Sequence, residues 1–189
     1  SFEVKERDFA RFSADTAFIS SFLKITPNII NGEVWDDQIS KDLRAHGWAL
    51  SDSQLPLNVS SLYSIGFDSI GIVMGGVVYP ISNYEATEIL GDMGCPDETR
   101  QFIRRLRTRL FIDAPMGSVE FAASRETLSM TPETRKKVGE LLVECVEKIC
   151  KHMSEKVEDQ NHIVPAYDYV LDSLGFIPDN IAWKGKHLR

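Results

Sequence analysis

The chain has 189 residues, a formal net charge of −7, and 43% hydrophobic and 26% charged residues. That length and balance fit one globular domain with a core of its own, or one domain with a small appendage, and they exclude a surface that is basic throughout and built for nucleic acid. No apolar run approaches the roughly 20 residues of a membrane span, and the three cysteines, Cys95, Cys145 and Cys150, read as reduced thiols of a cytoplasmic protein.

The chain opens on SFEVK, where Phe2 and Val4 alternate as in a strand. A chain that begins inside a strand reads as a piece of something longer. Asp8 is placed to cap a helix that carries Phe9, Phe12, Ile19, Phe22 and Leu23 toward a core and stops at Pro27. Residues 28–36 read as strand, turn and strand around Asn31-Gly32. Residues 36–61 are polar and Ser/Asp-rich and read mostly as loop, with one short strand at GWAL, 47–50.

Two apolar runs then flank Gly75-Gly76 within residues 62–81, the pattern of a buried hairpin or a bulged strand, closed by Pro80. NYEATEIL, 83–90, and DETRQFIRRL, 97–106, read as short helices joined by a turn. RLFIDAP, 109–115, and SVEFAA, 118–123, read as strands on either side of Met116-Gly117. Thr131-Pro132-Glu133 opens a long helix, with a hydroxyl cap, proline at its first position and an acid in its first turn. Its apolar face is Val138, Leu141, Leu142, Cys145, Val146, Ile149 and Met153, over roughly 22 residues or about 33 Å. AYDYVLDSL, 166–174, is a last helix that ends at Gly175, and the tail to Arg189 reads as a linker. Strands with helices interspersed predict an α/β (α+β) fold, a mixed sheet with packed helices.

Motifs of catalysis are incomplete. Asp92-Met93-Gly94 has the Asp-x-Gly of some ATPases, but Pro96 follows and the second glycine is missing, so it reads as a turn. Gly66, Gly71, Gly75 and Gly76 form neither a dinucleotide fingerprint nor a Walker loop, and read as sites of close backbone approach. Cys145, Cys150 and His152 have spacings that do not converge on a metal. His46, His152, His162 and His187 are scattered. No catalysis is expected from this chain alone.

Two groups of residues carry charge that could matter. Arg100, Arg104, Arg105, Arg107 and Arg109 fall within ten residues. On a helix, Arg100 and Arg104 share a side opposite Phe102, Ile103 and Leu106. Such a face could meet an acidic protein or a phosphate; the bland reading is a solvated face paired with nearby acids. Arg125 sits in the connection between SVEFAA and the long helix, next to Glu126. It is either held locally by Glu126, Glu120 or a carbonyl, or it reaches for an anion.

At Arg125 the sequence resembles known proteins. SRETL, Ser124 to Leu128, resembles a segment of the middle domains of Hsp90-type chaperones. VKERDF, IING, LYSIGFDSIGIVMGGVVYPI and PMGSVEFAASRETLSMTPETRKK together resemble the rIIA-like family of T-even-type bacteriophages, protectors from prophage-induced early lysis. The resemblance covers most of residues 1–150 and is densest at 75–81 and 115–137. Residues 36–56 and 85–108 depart from it.

The resemblance implies a GHKL ATPase-like domain, then a transducer with a ribosomal-S5-domain-2-like fold, then a further C-terminal region. Residues 1–160 would be the transducer, and 161–189 a short helix and linker. Arg125 would sense the γ-phosphate of ATP on the preceding domain, with Ser124 and Glu126 supporting its loop. The chain itself would hold no cofactor, ATP and Mg²⁺ belonging to the full-length protein. Partners would be the ATPase domain and a host or phage protein, in the bacterial cytoplasm or peripheral to the inner membrane. The competing expectation is a standalone phage regulatory module that uses Arg100, Arg104, Arg105 and Arg107 to bind an acidic protein or nucleic acid.

Overall fold

The structure is a computed structural model that describes residues 5, 9–23, 38–51, 69–124 and 127–188. The expected strand at Phe2 and Val4, the Asp8 cap, Pro27, the strands within 28–36 and the segment 52–68 lie outside the described residues, as do Arg125 and Glu126.

Among the described residues there are six helices and six strands. The helices are α1 (Phe9–Ser20), α2 (Gln38–His46), α3 (Asn83–Asp92), α4 (Asp97–Arg105), α5 (Pro132–Glu158) and α6 (Ile163–Leu174). The strands are β1 (Trp48–Ser51), β2 (Ser69–Met74), β3 (Val77–Ser82), β4 (Arg109–Ala114), β5 (Ala182–Trp183) and β6 (Lys186–His187). β1 to β4 form one mixed sheet in the order β1-β4-β2-β3. β2 and β3 pair as an antiparallel hairpin, β2 runs parallel to β4, and β1 is antiparallel to β4. The expected α/β class with a mixed sheet and packed helices is what the chain adopts.

Strand alternation divides the core between the two faces of the sheet. Ile70, Ile72 and Met74 of β2 and Leu110, Ile112 and Ala114 of β4 face the larger cluster, with α3, α4, α5 and α6 above them. Val73 and Phe111 face the other way, against Phe22, Ile39 and Leu43. Gly71 lies on this second face because Phe111 needs the space. A Cβ there would stand 2.6 Å from Phe111 Cδ1 and 2.8 Å from Val78 Cγ1. Gly75 and Gly76 take φ of 63° and 84° in the hairpin turn, a region that L side chains rarely enter.

The long helix is capped as its sequence predicts: Thr131 Oγ1 accepts from the Thr134 N–H at 3.2 Å. It runs 27 residues, longer than expected, and buries Val138, Leu142, Cys145, Val146, Ile149, Met153 and Val157. Gly175 closes α6 in the left-handed region at φ 75°.

The structure corrects several expectations. Residues 38–46, expected as loop, are a helix, because Ile39 and Leu43 lie four apart and both are buried against the sheet. α1 forms, but Phe9, Phe12, Ile19 and Leu23 stay exposed, and Phe22 beyond its end is the side chain that reaches Phe111, at 4.9 Å between rings. Pro80 does not close the hairpin. It pairs opposite Gly71 within β3, the edge strand among the described residues, where a missing N–H is tolerated. Residues 118–123 are not a strand of the sheet; their strand-like pairing is a single bridge, Phe121 to Leu128. The tail is packed, with Phe176, Ile177, Ile181 and Leu188 buried and β5 and β6 forming a small antiparallel pair.

Candidate functional site

The loop that carries Arg125 is built from its two ends. Phe121 bridges Leu128, the Ala122 N–H donates to Thr127 O at 2.8 Å, and the Ser129 N–H donates to Glu120 O at 2.8 Å. Val119 and Leu128 are buried and hold the base, while Ala123 and Ser124 are exposed in a turn. The next two residues, Arg125 and Glu126, lie outside the described residues. The loop thus folds back on itself, and its base is a short bridged ladder rather than a sheet strand.

That base is fastened to the start of α5. The Glu120 N–H donates to Thr134 Oγ1 at 3.2 Å, and the Thr131 hydroxyl donates to the same oxygen at 3.1 Å. Thr134 is 1% exposed. One buried hydroxyl therefore joins the loop, the helix cap and the first turn of α5. A second tie holds this end of α5 to α3: Arg135 Nη2 lies 2.7 Å from Asp92 and 3.5 Å from Glu88. The hydrogen bond to Asp92, then the charges of both acids, raise the Arg135 guanidinium above its ordinary value.

The arginine-rich segment is split up by the fold. Phe102, Ile103 and Leu106 are buried, as the helical spacing predicts. Arg100 pairs with Asp97 one turn earlier, at 3.1 Å. The Arg105 guanidinium lies over the Phe176 ring, 4.8 Å from its centroid. Arg104 and Arg107 are exposed. Arg109 does not share their surface: it is 4% exposed in β4, and burial pushes its guanidinium below the ordinary value. Beside Arg105 opens a groove of about 490 Å³ between α4, α5 and the tail, with Glu98, Glu147, Asp179 and Asn180 along it. Its acids make this side of α4 mixed in charge rather than basic.

No family model, curated protein or solved structure matches the chain. The functional reading therefore rests on the residues and their geometry.

Of the cysteines, Cys145 lies on the buried face of α5, as its place in the apolar stripe predicts. Desolvation there pushes its thiol up to about 12. The Cys150 thiol is also raised by burial, against a hydrogen bond to Asn180 that lowers it. Among the described residues no group of three His, Cys, Asp or Glu converges on a metal-sized site, and no helix is long and apolar enough to cross a membrane.

The histidines are not all scattered. His46 at the end of α2 and His152 in α5 lie 4.9 Å apart between ring centroids, and Trp48 lies 5.4 and 5.5 Å from them. A cleft of about 260 Å³ opens there, with Asp42, Tyr169 and Asp172 also on its wall. The two histidines are 106 positions apart in sequence, so spacing carries no signal of the pair.

Proposed function

We propose that the chain is the transducer of an rIIA-like GHKL-type ATPase and couples nucleotide state in a preceding domain to the binding of a host or phage partner. Arg125 is the contact to the γ-phosphate. Its guanidinium keeps its charge at every physiological pH and offers a planar pair of donors to phosphate oxygens. Ser124 and Glu126 flank it in the loop. ATP and Mg²⁺ belong to the preceding domain, and this chain supplies the arginine and the lever.

One observation carries the reading: the base of the Arg125 loop and the cap of α5 share the Thr134 hydroxyl. A pull on the loop is therefore applied to the first turn of a 27-residue helix whose buried face runs through the core. At about 1.5 Å per residue this helix spans about 40 Å, long enough to carry a displacement from one end of the domain to the other. The mixed sheet under the helices supports a transducer in general; the S5-domain-2-like form of it is part of the proposal. The cellular setting proposed with it is the bacterial cytoplasm, free or peripheral to the inner membrane.

The first test is calorimetry of this chain with ATP and Mg²⁺. A transducer that contributes one phosphate contact shows no micromolar binding, since a single charge-assisted contact does not offset the cost of immobilising the nucleotide. Micromolar affinity for ATP in the chain alone would overturn the reading.

A further inference from the structure

At the β1 edge of the sheet, two histidines from different elements face each other across a short gap. His46 is the last residue of α2, whose Ile39 and Leu43 pack on one face of the sheet. His152 belongs to α5, which covers the other face. Their ring centroids are 4.9 Å apart at 59°, and Trp48 of β1 is stacked on His46 and edge-on to His152. Trp48 is 5% exposed, and it follows His46 by two residues. The pair thus bridges α2 and α5 beside a strand of four residues that, among the described residues, pairs with β4 alone.

We propose that His46 and His152 form a proton-operated latch, closed when both rings are neutral and opened by their joint protonation, which frees the α2 end and the β1 edge from α5. Neutral imidazoles can stack on each other and on the indole; two imidazolium rings at this distance repel. The surrounding charge does not cancel that repulsion. From α2, Asp42 faces the cleft, and from α5, Glu155 and Lys156 act on His152. From α6, Tyr169 and Asp172 line the wall; β1 contributes Trp48 and Leu50, neither of which titrates. Burial first, then the His46 and Lys156 charges, hold the His152 imidazole below its ordinary value of 6.5, against the weaker pull of Glu155 and Asp42. The sign follows: a depressed histidine keeps the closed form whole above the ordinary value and weakens it as pH falls through the ordinary value toward the lower, folded one. The latch is independent of the nucleotide reading and acts on a different edge of the domain.

Titration of the ring protons by NMR between pH 8.5 and 5, with amide exchange followed in β1, tests it on the whole chain. His152 titrates below 6.5, and His46→Gln raises its midpoint by about 0.3 to 1 unit, because a like charge has been removed. Protection at Ala49, whose amide faces β4, corrected for intrinsic exchange, falls on acidification by at least about fourfold. That floor corresponds to two unit charges 4.9 Å apart in bulk water. His46→Gln abolishes most of this fall, and His152→Gln does the same where it folds. A His152 midpoint that His46→Gln leaves unmoved, or a loss of protection that persists in His46→Gln, overturns the latch. His46 is exposed, so that variant keeps the test decisive even if His152→Gln does not fold.

Discussion

Thr134→Val removes the joint on which the proposed coupling rests while keeping the size and branching of the side chain. Two donors lose their acceptor: the Glu120 N–H, at 3.2 Å, and the Thr131 hydroxyl, at 3.1 Å. The hydroxyl rotates and still accepts from the Thr134 N–H, so its loss is small. The Glu120 amide cannot rotate. Leaving a fully buried donor unsatisfied costs about 1–3 kcal/mol. The Glu120 bond is only partly buried, in an exposed residue, so its loss lies at the low end of that range, and the added methyl recovers part of it by apolar burial. The expected net loss is about 0.5–1 kcal/mol, or about 1–4 °C in Tm for a chain of this size. Thermal unfolding followed by circular dichroism reads that shift, and amide exchange at Glu120 reads its location. Thr134→Ser keeps the oxygen and should keep Glu120 protected even where the lost methyl lowers Tm. Equal Glu120 protection in Thr134→Val and the unmodified chain would refute the idea that this hydroxyl ties the loop to the helix.

Gly71→Ala forces a Cβ to within 2.6 Å of the fully buried Phe111 ring; overpacking of this kind costs about 1–3 kcal/mol, measurable by urea denaturation. Arg135→Ala breaks pairs whose acids are 51% and 65% exposed, so it should cost under about 1 kcal/mol and less still in high salt. Cys145, with its thiol raised to about 12, stays unreactive to alkylating agents at pH 8 until the chain unfolds. Because the unfolded thiol ionises first, Tm should fall as pH rises from 9.0 toward 12, and Cys145→Ala should flatten that decline. Arg104→Ala with Arg107→Ala, which removes the two exposed arginines of the segment, should leave stability within about 0.5 kcal/mol. A salt-sensitive polyanion affinity present before and lost after that change would favour the binding-module reading.

Local signals in the sequence were strong where the chain's own chemistry decides the conformation. The glycines of the β2–β3 turn and the Thr131-Pro132 start of α5 each impose a backbone form, and both appear as expected. The same is true of Phe102, Ile103 and Leu106, whose spacing alone puts them inside. α2 was hidden because its sequence, QISKDLRAH, is polar apart from Ile39, Leu43 and Ala45, and the Ser/Asp content masked a stripe only two residues long. Residues 118–123 alternate like a strand, yet the Glu120 amide is taken by Thr134 and its carbonyl by Ser129, partners that alternation cannot reveal. Arg109 read as one of five surface charges until strand pairing turned it inward. The Thr134 joint and the His46–His152 pair depend on tertiary packing, and neither leaves a motif. Arg125, the residue on which the functional reading turns, was legible only through resemblance, and it lies outside the described residues.

The direct measurement is ATP turnover per folded molecule in a protein that carries both this chain and the nucleotide-binding domain proposed to precede it, with Arg125 present and with Arg125→Ala. Stabilisation of a transferring phosphoryl group by one arginine predicts a loss of about 10–1000-fold, with Tm unchanged to within about 2 °C and only partial rescue by Arg125→Lys, whose ammonium lacks the planar fork. Turnover per folded molecule that stays the same in Arg125→Ala would contradict the claim that Arg125 reads the γ-phosphate.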